Sequence, residues 1–212
     1  MEIGALLKSF IYLIASSLLY PTLFLLVLLT GWILIYGGTF FAEWLERARL
    51  KKYAPEDLPG IISGAGDQKV FSHRVNFYLE TLQRVLRRSE DAKSLIIENL
   101  LQEKTLSFWK SLDRPRMVVR VGPSLGLIGP LIPMGTGLAS LSQGDITKLS
   151  TDLVIAFTTT VVGLAVGITA YFFYSVRRRW IEEDIKNIEL ATEILAGELD
   201  DNLLEKRPLQ EI

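Results

Sequence analysis

The residues of this chain that could do chemistry are few, and most of them are hydroxyls. On a helix advancing about 100° per residue, Asp152, Thr159, Gly163 and Gly167 share one face, with Thr160 beside it. A carboxylate and hydroxyls on a face of small residues could line a narrow polar path along which an ion or proton passes between hydrogen-bonding groups. The same residues have a plainer use. Small residues at four-residue spacing, such as Gly122 to Gly126 and Gly163 to Gly167, let helices approach closely, and threonine hydroxyls can bond back to their own carbonyls. Asp152 would then be an acid in the first turn of its helix, favoured by the macrodipole, with Ser150 or Thr151 as cap.

Other chemistry is thin. His73 is the single histidine, and with no cysteine in the chain it has no partner of the usual kind for a metal site, so a surface or packing role is expected. No phosphate-binding loop or serine elbow stands in the required strand-to-helix context. No catalytic residue, metal or cofactor is expected, and the chain does not read as an enzyme. The net charge of −1 makes no case for nucleic acid, because the basic residues cluster at the edges of apolar stretches. The lack of cysteine excludes disulfides and thiolate chemistry without fixing a compartment.

The elements that must position these residues are membrane helices. The composition is 49% hydrophobic with a mean hydropathy of +0.29, too apolar for an ordinary soluble domain. Ser9 to Ala42, Val121 to Gly144 and Leu153 to Val176 carry no charge, and each is at least as long as the roughly 20 residues a helix needs to cross the hydrocarbon. The expected architecture is an all-α membrane protein with three transmembrane helices and cytoplasmic helical extensions. Its parts are an interfacial N-terminal helix over 1–17, spans over 18–42, 118–144 and 150–176, a cytoplasmic helical loop over 43–117, and a cytoplasmic C-terminal helix over 177–212.

The first apolar run is far too long for a cleaved signal peptide, follows a neutral start of Glu2 and Lys8, and has no small-residue cleavage site, so it is expected to stay in the protein. Ile3, Leu6, Leu7, Phe10 and Ile14 lie on one helical face, which fits an interfacial helix ending near Pro21. Residues 43–120 hold 15 of the 23 Lys and Arg residues and 177–212 hold 6, including the run Arg177, Arg178 and Arg179. Positive charge on the cytoplasmic side then puts the N-terminus outside and the C-terminus inside.

In the cytoplasmic loop, "YAPEDLPGIISGAGDQ" carries Pro55, Pro59, Gly60, Gly64 and Gly66, which are expected to break any helix. Val75, Leu79, Leu82 and Leu86 then recur at helical spacing, and Leu95 to Trp109 continues in helical style after a break near Ser89 to Asp91. In the tail, Ile181, Ile185, Ile188, Leu195, Leu199 and Leu203 form one stripe with Glu182, Glu183, Asp184 and Lys186 around it, the polar faces being solvated. So narrow a stripe could pack against the loop helices or against a neighbouring subunit.

The second span, "VGPSLGLIGPLIPMGTGLASLSQG", holds six glycines and three prolines, Pro123, Pro130 and Pro133, where backbone hydrogen bonds are hardest to replace. Such kink-forming residues are tolerable where a helix is buried in protein or faces water, which supplies partners that lipid cannot. Glycines at four-residue spacing leave grooves that call for another helix, so homo-oligomerisation through the second and third spans is expected.

"GPSLGLIGPLIPM", followed some 30 residues later by "AFTTTVVGLAVGITAYFFY", resembles the second and third spans of the MotA/TolQ/ExbB proton channel family. The family's second span often runs proline, one or two residues, then G-L-x-G-T, and its third carries a threonine three residues before G-L. Three spans and a short helical tail look like the ExbB/TolQ branch. The resemblance implies a ring of five subunits in the lipid bilayer around a pair of single-span ExbD/TolR-like partner helices, whose membrane aspartate takes up and releases protons. Pro123, Gly126 and Gly129 match the second-span motif, and Thr160, Gly163 and Leu164 the third. Pro130 stands where the family usually has its pore threonine, and Ile155 where many members have a glutamate, so proton handling rests more heavily on Thr159, Thr160, Ser124 and water, or the site is modified for another ion; Asp152, just before the third apolar stretch, is the further pore-lining candidate. The competing reading is a membrane scaffold or assembly protein that keeps the packing motifs and conducts nothing.

Overall fold

The computed structural model describes residues 2–50, 58–62, 70–87 and 93–205. They form six helices: α1 (Glu2–Ala48), α2 (Leu58–Ile62), α3 (His73–Leu86), α4 (Lys93–Lys110), α5 (Asp113–Leu141) and α6 (Ile146–Glu205). There is no strand among the described residues. Three stretches, Ser17–Ala48, Ser94–Leu141 and Ile146–Gly197, are long and apolar enough to cross a membrane. The chain is an all-α, multi-pass membrane protein.

One compact unit comprises 1–40 and 113–175. Along α1, Thr22, Leu26, Ile33 and Phe40 form the buried stripe, while Phe24, Val27, Leu34 and Ile35 stay exposed. Around the stripe Ile33, Val118, Val166 and Ala170 make a cluster, with Trp32, Val119, Val162 and Phe173 packed against it. Tyr36 and Phe40 meet the Phe173 ring at centroid distances of 6.0 and 4.6 Å. The outward surface of α5 and α6 is apolar too, with Leu127, Leu131, Leu138, Val154, Phe157, Val161 and Ile168 all exposed. In a soluble domain this would be an aggregation hazard; on membrane helices it is the surface that meets lipid or neighbouring helices.

α1 corrects one expectation: no break occurs near Pro21, which lies inside one helix running from Glu2 to Ala48. A proline removes one donor from the ladder, and in an apolar medium every further backbone group left open costs several kcal/mol, so losing one bond is cheaper than ending the helix.

The second unit comprises 41–112 and 176–212. Within "YAPEDLPGIISGAGDQ" the chain forms the short helix α2, with Pro59 in its first turn, where a missing N–H costs nothing. The rest of that segment, and the expected break near Ser89 to Asp91, lie outside the described residues. Ser72 caps α3, its hydroxyl accepting from Val75 N–H at 3.4 Å. Val75, Tyr78 and Leu82 are the buried face of α3. Ile181, Ile185, Ile188 and Leu195 of the α6 stripe are buried, and Tyr78 Oη lies 2.6 Å from Thr192 Oγ1. The stripe therefore packs against a loop helix of its own chain; the side chains of Leu199 and Leu203 lie outside the described residues.

Asp184 also departs from expectation, for it is not solvated but 1% exposed. Arg47 Nη2 donates to its Oδ2 and Ser72 Oγ to its Oδ1, and the Arg47 guanidinium lies 5.1 Å from the Trp180 ring centroid. Burial pushes the Asp184 carboxyl above its ordinary value, more than Arg47 and Ser72 pull it down. Beside this pair, Glu43 faces Arg74 at 3.4 Å and Arg177 at 3.6 Å.

Candidate functional site

The candidate site is built on the α5–α6 hairpin, whose corner is set by local chemistry. Gly144 has φ +78°, a left-handed conformation that costs a side-chain-bearing residue more than glycine. There the Gly144 and Asp145 N–H groups return to the carbonyls of Leu141 and Ser140, closing α5 with a Schellman motif. Asp145 then caps α6, its Oδ1 accepting from Lys148 N–H at 2.9 Å. The cap is thus Asp145, not Ser150 or Thr151. Asp152 lies in the second turn, beyond the reach of a first-turn dipole role.

From this corner α5 and α6 run back side by side, glycine against small residue. Thr136 and Asp152 each lie eight residues from Gly144, and Gly129 and Thr159 each lie fifteen. A Cβ on Gly129 would stand 3.2 Å from Thr159 Cβ, one on Gly126 2.9 Å from Gly163 Cα, and one on Gly122 3.3 Å from Gly167 N. At Gly167 the neighbour is the Pro123 ring. The grooves from which a neighbouring subunit was expected are therefore filled from within the chain. All three prolines lie inside α5 without ending it, and Pro130 and Pro133 are buried.

The hydroxyls are engaged locally. Thr159, 5% exposed, bonds the carbonyls of Ile155 and Ala156 at 3.0 and 2.9 Å, and half-buried Thr160 bonds that of Ala156 at 3.0 Å. Ser124 is exposed and bonds Arg120 O at 2.8 Å, away from the buried glycine stripe. Asp152 is different: part-buried, it accepts a hydrogen bond from Thr136 Oγ1 of the facing helix at 2.8 Å. Gly137 makes room for it, since a Cβ there would meet Asp152 Cβ at 3.2 Å. Neither Thr136 nor Gly137 was singled out from the sequence. Their signal was distance from the corner, because in a tight antiparallel hairpin residues equally far from the turn meet.

His73 is exposed at the start of α3, its backbone N–H donating to Glu46 Oε1 at 3.1 Å. The described residues contain no group of three or more His, Cys, Asp or Glu side chains able to hold a metal ion.

A carboxylate bonded across two glycine-packed helices defines a class of protein: a membrane helical bundle that carries an ionisable group between two of its spans, where such groups are rare and costly. The model of the MotA/TolQ/ExbB proton channel family matches residues 69–190, and the chain belongs to that family. Its members are channel and motor components rather than enzymes, and they work in oligomeric complexes with partner proteins. Comparison with curated proteins finds no significant match.

Proposed function

We propose that this chain is a subunit of a membrane motor driven by the proton-motive force, of the ExbB/TolQ-like branch. A ring of subunits, a pentamer, surrounds single-span ExbD/TolR-like partner helices and couples ion flow to work across the envelope. The N-terminus lies outside and the C-terminal helix in the cytoplasm, because the basic residues of 43–120 and 177–212 border the same side of the spans. The observation that carries this reading is Asp152, a carboxylate hydrogen-bonded inside the hairpin of a proton channel family member. With Pro130 in the family's threonine position and Ile155 in that of the glutamate, Asp152, Thr159 and Thr160, with Ser124 at the exposed edge, are the groups left to line the path.

A second reading, a non-conducting scaffold, has its own support: the threonine hydroxyls are already bonded to their own helix, and the glycine grooves are occupied. Proton uptake into liposomes carrying the chain with its partner separates the two. Thr160→Val keeps the side chain's shape and removes the hydroxyl. A path role gives assembled but uncoupled Thr160→Val complexes, with Thr160→Ser still conducting; valine conducting as well as serine sinks Thr160 as a path residue. The scaffold reading holds if wild-type complexes pass no protons at all.

A further inference from the structure

Thr136 Oγ1 has one hydrogen and three acceptors around it: Asp152 Oδ2 at 2.8 Å, Pro133 O at 3.1 Å and Ile132 O at 3.5 Å. A hydroxyl donates once and accepts twice, so its hydrogen can turn to either helix while its lone pairs stay available. We propose that Thr136 and Asp152 form a proton-accepting station in which the carboxyl can be charged or neutral with no heavy atom moving. When Asp152 is charged, the Thr136 hydroxyl donates to Oδ2. When a proton arrives, an O–H bond forms on Oδ2 and donates to Thr136 Oγ1, whose own hydrogen rotates to Pro133 O. Release reverses both turns, and no bond of the threonine breaks. Neither form then leaves a buried polar atom without a partner, which is the usual obstacle to titrating a carboxyl among apolar helices.

Three features favour a group that exchanges protons over a packing contact. Asp152 lies about 9 Å, six residues at helical rise, inside the start of α6 and is only part-buried, so the station is neither sealed nor at the surface. Gly137 leaves space for its side chain. No fixed counter-ion pins it in one state: the charge-free stretch 121–144 contributes none from α5, Ser9 to Ala42 contributes none from α1, and the charges nearest along α6, Asp145 and Lys148, are exposed. The station's use rests on the proton-conducting reading above; its existence rests on the hydroxyl geometry alone.

The test has two readouts. In the purified wild-type chain, the infrared carbonyl band of protonated Asp152 in acid, and its carboxylate band at higher pH, are identified by their loss in Asp152→Asn. Thr136→Val is expected to move both bands and Thr136→Ser to leave both near wild type; a band that stays put in Thr136→Val overturns the station for that form. In complexes purified with their partner, Thr136→Val is expected to lower proton uptake by about tenfold, one lost hydrogen bond of about 1.4 kcal/mol, and serine to restore it. Undiminished flux in Thr136→Val overturns the proposal even if the bands move. Wild-type complexes that carry no protons while both bands respond leave the station standing and remove the motor reading instead.

Discussion

Gly126 of α5 and Gly163 of α6 meet backbone to backbone, so closely that a Cβ on Gly126 would stand 2.9 Å from Gly163 Cα. Lipid gives helices no hydrophobic reason to associate, so close packing of this kind must hold the hairpin together. Gly126→Ala is therefore expected to destabilise the chain in detergent by about 1–3 kcal/mol, as an overpacked contact does. Gly135→Ala, on the same helix with nothing within 4 Å, is expected to be neutral or slightly stabilising. Thermal unfolding of the two variants side by side checks this, and equal effects would refute the contact.

The Arg47–Asp184 pair is buried, with side chains 10% and 2% exposed. Removing one member strands the other, so Arg47→Met or Asp184→Leu alone is expected to cost about 3–5 kcal/mol. The double variant is expected to cost less than either single change, because an apolar pair leaves no buried charge unpaired. A double-mutant cycle by denaturant unfolding measures this directly.

Asp184 also sets a pH dependence. Its folded-state carboxyl binds a proton more tightly than the unfolded one, since burial raises it from the ordinary value of 3.8. Its contribution to stability is thus full in acid and lost as pH rises from that value through the raised one. Asp184→Asn cannot titrate, so wild type should lose stability relative to it across that window. A relative gain would contradict the burial argument.

Tyr78 and Thr192 share one buried hydrogen bond, but their truncations are not equivalent. Tyr78→Phe leaves Thr192 Oγ1 still donating to Ile188 O at 2.6 Å, and a cost of about 1 kcal/mol follows. Thr192→Val strands the Tyr78 hydroxyl, 1% exposed as a residue, with an expected cost of about 1–3 kcal/mol. Unfolding midpoints in the reverse order would show that Tyr78 finds another partner.

Thr159, packed behind Gly129, gives its hydroxyl to carbonyls that the helix already satisfies. Thr159→Val, similar in shape, is expected to change stability by less than about 1 kcal/mol. A much larger loss would mean the hydroxyl has a partner beyond its own helix.

Much of this architecture was legible along the chain. Lengths of apolar sequence free of charge mark the spans, because the cost of burying charge in hydrocarbon is paid residue by residue and needs no tertiary information. The family was readable for the same reason, its glycines, prolines and Thr160 being local in "GLIGP" and "TTTVVGL". What the tertiary structure decided was pairing. Glycine spacing shows that a groove exists but not which helix fills it, and the corner at Gly144 brought α6 into the groove of α5 before any second chain was needed. Likewise, Asp152 read either as a path-lining carboxylate or as a helix-end acid until the hairpin set Thr136 opposite it, and Asp184 read as a surface charge until Arg47, 137 residues away, met it in the interior. A side chain's charge is written in the sequence; whether that charge faces water, lipid or a partner depends on what else the fold brings within about 3 Å of it.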